Sequence, residues 1–287
     1  MTHDILATIQ SELPKFSKGQ KLIANFILKS YDKAAFMTAS KLGKTVNVSE
    51  STVVRFAAEL GYDGYPAMQK TLQEMIRNKL TSIQRIEVSN DRIGNQDILS
   101  MVLQSDIEKL HMTLEETNRE EFDASVDAIV AARKIYILGV RSSAAISVFL
   151  SFYFNLIFDN VIQINTTSAS EVFEQMLRVG PGDVVIGVSF PRYSRRTVKA
   201  LQFASDRGST VIAITDSKTS PLSAIATHTL LAKSDMASFV DSLVAPLSLV
   251  NALIVAVGRK KNQDLSQTFQ SLEQIWEEYE VYEKVEE

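Results

Sequence analysis

The sequence predicts two domains of different class, an all-α head followed by an α/β body on a parallel five-stranded sheet flanked by helices. Three observations predict this. TASKLGKTVNVSESTVVRFAAEL, residues Thr38 to Leu60, sets two short amphipathic helices around a tight polar turn. From Lys134 onward, KIYIL, VIQI, DVVIGVS, TVIAIT and HTLLA alternate with longer helical patterns, the signature of a parallel sheet covered on both faces. Between the two, Thr81 to Gln96 loses its periodicity and contains SNDRIGNQD, a polar, Gly-bearing run suited to a connection.

The 287 residues, 45% of them hydrophobic, are enough for two cores. Residues 1–80 hold 11 Lys and Arg against 7 Asp and Glu, and the remainder holds 19 against 27. The net charge of -4 therefore hides a basic head on an acidic body and does not exclude nucleic acid. The absence of cysteine excludes disulfides and thiolate metal sites and accords with a cytoplasmic protein. His3, His111 and His228 are too dispersed for a metal site, and no cofactor is called for. The start MTHDILATIQ shows no signal-peptide pattern. Ala144 to Phe158 and Leu243 to Val257 fall short of the roughly 20 apolar residues of a membrane span and read as buried helices.

In the head, Ser17 and Gln20 have capping-box spacing, and Leu22, Ile23, Phe26 and Ile27 follow as one apolar stripe. Thr38 is placed to cap a second helix that turns Leu42 and Val46 inward, and Asn47 suits the left-handed backbone of the turn after it. Ser49 is placed to cap a third helix, with Val53, Phe56, Ala57 and Leu60 on one face and Ser51, Thr52 and Arg55 largely on the other. This is the geometry of a helix-turn-helix reader of DNA. The candidate DNA-contacting residues are Thr38, Ser49, Glu50, Ser51, Thr52, Arg55 and Lys70, with Arg77 and Lys79 as further phosphate partners. Gly61 ends the third helix, and another follows it.

Asp97 to Thr117 returns to helical spacing, and a further helix from Asn118 carries Phe122, Val126 and Ile129. Open parallel sheets bind ligands beyond the carboxyl ends of their strands, and three of those ends here are rich in hydroxyls. Gly139 to Ser143 follows the first strand and opens a helix, where backbone amides and hydroxyls suit an anion. SFPRYSRRT, Ser189 to Thr197, follows the third, and Thr215, Asp216 and Ser217 end the fourth. The plainer role of each hydroxyl is to cap a helix.

AFMTASKL followed by VSESTVVRFAAELGYDGY resembles the N-terminal domain of RpiR-type transcriptional regulators, over about Phe16 to Glu74. KIYILGVRSSAA, GDVVIGVSF and RGSTVIAITDSKTSPLSAIATHTLL are similar to SIS domains, the sugar isomerase fold that follows the helix-turn-helix in that family. The resemblance implies a helix-turn-helix DNA-binding domain at 1–80, a linker and connecting helix at 81–118, an SIS effector-binding domain at 119–262 and an amphipathic helix at 263–287. It also implies that Ser142, Ser143, Ser189 and Ser194 hold the phosphate of a sugar phosphate. Thr215 joins them at the same edge.

Two departures from the family pattern stand out. Arg141 occupies the second glycine of Gly-x-Gly-x-Ser, and Pro191, Arg192 and Ser194 occupy the second Ser, the Gly and the Thr of Ser-x-Ser-Gly-x-Thr. Arginine grips phosphate or carboxylate bidentately, so these positions predict an anionic effector held by Arg141 and Arg192; the alternative is that both pair with acids or face solvent.

The expected function is a DNA-binding regulator whose body binds an anionic, phosphorylated sugar or sugar-acid effector that modulates operator binding. The expected partners are double-stranded operator DNA, that effector, and further copies of the chain in a homodimer or homotetramer; no membrane is expected. The alternative is a sugar-phosphate isomerase, which needs a base such as Glu171, Glu174 or His228. Of these, Glu171 reads better as a capping box with Ser168, and no catalytic or metal residue is assigned. A third reading is an oligomerisation scaffold without a pocket. Ser238, Phe239, Asp241 and Ser242, ahead of a long apolar helix, lie near the ligand edge by resemblance, and Phe269, Leu272, Ile275, Trp276 and Tyr279 give the last helix an apolar face.

Overall fold

The computed structural model describes residues 5–76, 81, 83–86, 97–166, 168–234 and 240–283. Backbone contacts divide the chain into two units, Met1–Met101 with Met236–Val240, and Val102–Asp235 with Asp241–Glu287. Most of the expected linker at 81–96, together with Arg77, Lys79, Ser238 and Phe239, lies outside the described residues.

The first unit is helical: α1 Ile5–Glu12, a 3-10 turn Leu13–Lys15, α2 Lys18–Lys29, α3 Tyr31–Ala34, α4 Ala39–Thr45, α5 Glu50–Glu59 and α6 Tyr65–Ile76. Residues 83–86 form a further helical turn, α7. The capping box starts α2 as expected: Gln20 donates its backbone N–H to Ser17 Oγ, and Ser17 N–H donates to Gln20 Oε1. Ile23 and Ile27 are fully buried beside Ile5, Ile9, Leu42, Val53 and Phe56, and Phe16 meets Phe56 edge to face at 5.0 Å. Each such side chain contributes roughly 1.5–3 kcal/mol by leaving water. Leu22 does not join this stripe and is 46% exposed. It lies about 100° round the helix from Ile23, and the inner position there belongs to Gln20, whose amide donates to Glu59 Oε2.

In the second unit α8 Ile98–Glu116 and α9 Arg119–Val130 lead into the sheet. Asn118 Oδ1 caps α9, accepting from Glu120 N–H and Glu121 N–H. The strands β1 Ile135–Gly139, β2 Val161–Ile164, β3 Val184–Val188, β4 Thr210–Thr215 and β5 His228–Leu231 match the five predicted runs. All neighbours pair in parallel, in the order β2-β1-β3-β4-β5. Between the strands run α10 Ser143–Ile157, α11 Ala169–Gln175 and α12 Arg195–Asp206; α13 Val244–Lys260 and α14 Asn262–Glu278 follow.

The side-chain period of two splits the sheet between two cores. Ile135, Ile137, Val184, Ile186, Val188, Ile212 and Ile214 face α9, α10 and α13. Tyr136, Leu138, Val185, Val211 and Ala213 face α11 and α12. β1 and β3 are buried along their whole length, which is why their sequences read as unbroken apolar runs. The two long apolar stretches lie within α10 and α13, and no described helix is long and apolar enough to cross a membrane.

Candidate functional site

The turn between α4 and α5 is built from local hydrogen bonds. Thr38 Oγ1 accepts Lys41 N–H at 3.1 Å and starts α4, while Asn47 takes the left-handed backbone, φ 58°. Val48 N–H then donates to Gly43 O at 2.8 Å. Gly43 makes this approach possible, because a Cβ there would stand 2.8 Å from Val48 O. Gly43 is a site residue not expected above, and a lone glycine inside a short helix is the signal of close backbone approach that marks it.

Ser49 Oγ caps α5 by accepting Thr52 N–H at 3.3 Å, and it also meets the hydroxyls of Ser51 and Thr52 at 2.9 and 2.8 Å. Arg55 donates from Nε to Ser51 O and from Nη2 to Ser51 Oγ, so its guanidinium lies along the first turn. Ser49, Glu50, Ser51 and Arg55 are exposed and Thr52 partly so, while Val53, Phe56 and Ala57 are buried beneath them. The predicted residues of α5 thus form one polar, solvent-facing surface, and Lys70 is exposed on α6.

In the second unit, successive connections leave β1 in opposite directions: β2 lies on one side of β1 and β3 on the other. This is a topological switch point, where the loops after β1 and β3 diverge and open a crevice. Gly139 at the end of β1 pairs with Val188 at the end of β3, so the two loops begin side by side. A Cβ on Gly139 would lie 2.5 Å from Ser143 O, so this glycine lets the first turn of α10 close down on the strand.

Both departures from the glycine pattern lie here. Arg141 has φ 58° and Arg192 φ 67°, left-handed in each case. By residue type the arginines add bulk and charge. The structure shows that each keeps the backbone conformation a glycine favours and adds an exposed guanidinium to it.

Around them the hydroxyls differ in their engagement. Ser142 stands at the cap position of α10 in a helical conformation and makes no side-chain capping bond, while Ser143 is buried. Ser189 is buried and its Oγ accepts Ser194 N–H; Ser194 Oγ accepts Thr197 N–H and caps α12. Thr215 is fully buried and donates to Asp216 Oδ1. Tyr193 donates to the same carboxylate oxygen at 2.7 Å and so ties the β3 loop to the end of β4. Thr197 is buried, and its Oγ1 finds no partner among the described residues. Tyr193, Asp216 and Thr197 lie within the strand ends that the sequence marks, but nothing in the sequence gives them individual roles.

Of the candidate bases, Glu171 is engaged at the start of α11 and His228 lies away from this crevice. Glu171 accepts from the hydroxyl of Thr166 and leaves Ser168 N–H to Thr166 Oγ1, so the Ser168 cap is not closed into a full box. Glu174 is exposed on α11. His228 meets Glu121 at 3.1 Å at the start of β5, the end of that strand opposite the ligand edge.

Two family models match the chain: a helix-turn-helix domain of the rpiR family over residues 3–79, and an SIS domain over residues 128–256. The sugar isomerase domain of an RpiR transcription factor from Sphaerobacter thermophilus is 31% identical and superposes with a TM-score of 0.60, covering 62% of this chain and 99% of that one. This chain belongs to the RpiR family. The RpiR regulator is also 26% identical to the HTH-type transcriptional regulator HexR of Escherichia coli, over 78% of this chain and 76% of HexR. The NanR protein of Vibrio vulnificus, solved in complex with ManNAc-6P, shares the fold at a TM-score of 0.58 and 23% identity, over 95% of this chain and 98% of NanR. The chain is thus a transcriptional regulator with helix-turn-helix and SIS domains, and not an isomerase.

Proposed function

We propose that this RpiR regulator reads double-stranded operator DNA with the exposed start of α5, and that an anionic effector in the crevice between the β1 and β3 loops changes that reading. Thr38, Ser49, Glu50, Ser51, Thr52, Arg55 and Lys70 meet the DNA. The hydroxyls and amides suit phosphate, Arg55 suits phosphate or the acceptors of guanine, and Glu50 suits the amino group of cytosine. Arg141 and Arg192 grip the effector, with Ser142 and Ser143 at the start of α10 and Ser189, Ser194 and Thr215 shaping the opposite wall.

The observation that carries the effector reading is the pair of left-handed arginines flanking the switch point. A residue that costs about 1–2 kcal/mol in backbone strain is retained where its side chain serves a purpose. NanR's complex with a phosphorylated sugar supports the same ligand class. A phosphorylated sugar or sugar acid fits two guanidinium groups and a helix N-terminus, because charge-assisted bonds to phosphate and carboxylate are the strong ones.

The test is anisotropy with the DNA upstream of the gene and of its neighbours, across a salt series, with and without a panel of sugar phosphates and sugar acids. DNA binding should weaken linearly in log–log salt, and at least one panel member should shift the affinity. Linkage then requires the DNA to shift that compound's affinity by the same factor. A panel that shifts neither DNA binding nor melting would overturn the effector reading and leave a scaffold.

A further inference from the structure

We infer that a groove walled by α8, α9 and α13 receives α14 of a second copy of the chain, each copy lending its helix to the other. The groove has a volume of about 970 Å³ and lies apart from the loops just described. Leu110, Leu114, Phe122, Leu249, Ala252 and Val255 make its surface apolar. Several of its walls are open to solvent in the single chain: Ile107 is 47% exposed, Leu114 61% and Val255 69%. Contiguous apolar surface of this kind marks a contact site.

The same chain carries a helix that needs such a site. α14 is 17 residues long and has no buried residue. Phe269, Leu272, Ile275, Trp276 and Tyr279 recur along one face, yet Ile275 is 47% exposed and Tyr279 72%. Its start is fastened, where Leu265 packs on the body core and comes within 3.2 Å of where a Cβ on Gly258 would stand, and further along Phe269, Leu272 and Trp276 are only half-buried. Beyond that point Phe269, Trp276 and Tyr282 stack edge to face along the helix and its end. Helices in proteins owe most of their stability to the packing of such a face, so the apolar side of α14 calls for cover.

Charge selects the match. Residues 262–283 carry Asp264, Glu273, Glu277, Glu278, Glu280 and Glu283 and no Lys or Arg. The groove's rim carries Arg119, Arg259 and Lys260 against the single acid Asp123. An acidic amphipathic helix thus meets a basic-rimmed apolar groove. None of α14 lines the groove of its own chain; α14 packs instead beside α10 and the Gly258 side of α13. Reciprocal exchange gives an isologous two-fold contact, and a two-fold body presents two heads, as paired DNA half-sites require.

The absence of native cysteine makes the test clean. Leu114→Cys and Tyr279→Cys replace exposed residues on the two surfaces. Under mild oxidation the double variant should run as a covalent dimer on a non-reducing gel, and differently tagged single variants should cross-link only when mixed. Cross-linking by Leu114→Cys alone would mean groove-to-groove pairing and would overturn the exchange, as would a disulfide within one chain or none at all. Ile275→Glu in the native chain should raise the dimer dissociation constant at least a hundredfold by light scattering with its circular dichroism unchanged. A dimer mass unaltered by that variant would also count against the inference, and a variant that fails to fold leaves the cross-links to decide.

Discussion

Arg141 and Arg192 share one uncommon backbone conformation, φ 58° and 67°, in the loops after the paired strands β1 and β3. Arg141→Gly and Arg192→Gly should therefore separate stability from binding. Relief of roughly 1–2 kcal/mol of left-handed strain is offset by the entropy glycine adds to the unfolded chain, about 0.5–1 kcal/mol. Melting temperature should stay level or rise. Effector affinity should fall about tenfold or more, the scale of one charge-assisted hydrogen bond. Calorimetric titration beside thermal melting checks both, and a variant that melts lower yet binds normally would assign the arginines to structure.

Gly43→Ala tests the turn of the head. The new Cβ would stand 2.8 Å from Val48 O, where neither backbone can yield without moving α5 off α4. We expect a loss of about 1–3 kcal/mol in the head's stability, the usual range for overpacking. DNA affinity should fall with it while effector binding by the SIS domain is unchanged, as read by melting, anisotropy and titration on one preparation.

Arg55→Ala and Lys70→Ala should differ in kind. On the proposed reading Lys70 meets a phosphate, and its removal should weaken binding to all DNA sequences alike and lower the magnitude of the salt slope by about one. On the proposed reading Arg55 can reach a base edge, and its removal should then cost about 1–3 kcal/mol at that base pair and relax the preference there. Anisotropy on operator variants at several salt concentrations distinguishes the two.

Tyr65 gives the head an alkaline limit. Its hydroxyl donates to Met37 O at 2.7 Å, and burial pushes its pKa from 10.0 up to about 12. The folded form holds its proton more tightly than the unfolded chain. Tyr65's stabilising contribution is therefore complete below about pH 10 and is lost as pH rises toward 12. Tyr65→Phe should cost about 1 kcal/mol at neutral pH and flatten the fall above pH 10. Urea melts of the head across that range provide the measurement.

The parts legible in sequence were those set by near neighbours in the chain. Ser17, Thr38, Ser49 and Asn118 cap helices through residues two or three positions on, and Asn47 turns the chain by its own tolerance of positive φ. The strands β1 and β3 declared themselves because burial on both faces leaves an unbroken apolar run. Leu22 was misplaced because its apolar character fits a stripe that Gln20 in fact occupies. The bond from Tyr193 to Asp216 joins loops 23 residues apart and has no local signature. The left-handed backbone of Arg141 and Arg192 was hidden by residue type, since the pattern named the side chains and not the torsions beneath them.

The contrast between the two units also bears on how the protein is made. The head is a cluster of short helices joined by near-neighbour contacts, the kind of structure that forms in microseconds to milliseconds. The sheet cannot close until β3 slots beside β1 and β4 and β5 add to that edge. At about 5–20 residues per second, a ribosome needs roughly 10–40 s after residue 80 to deliver the remainder. During that interval each nascent chain holds a helix-turn-helix domain with no SIS domain attached, so a message cut short after the head would encode the one without the other.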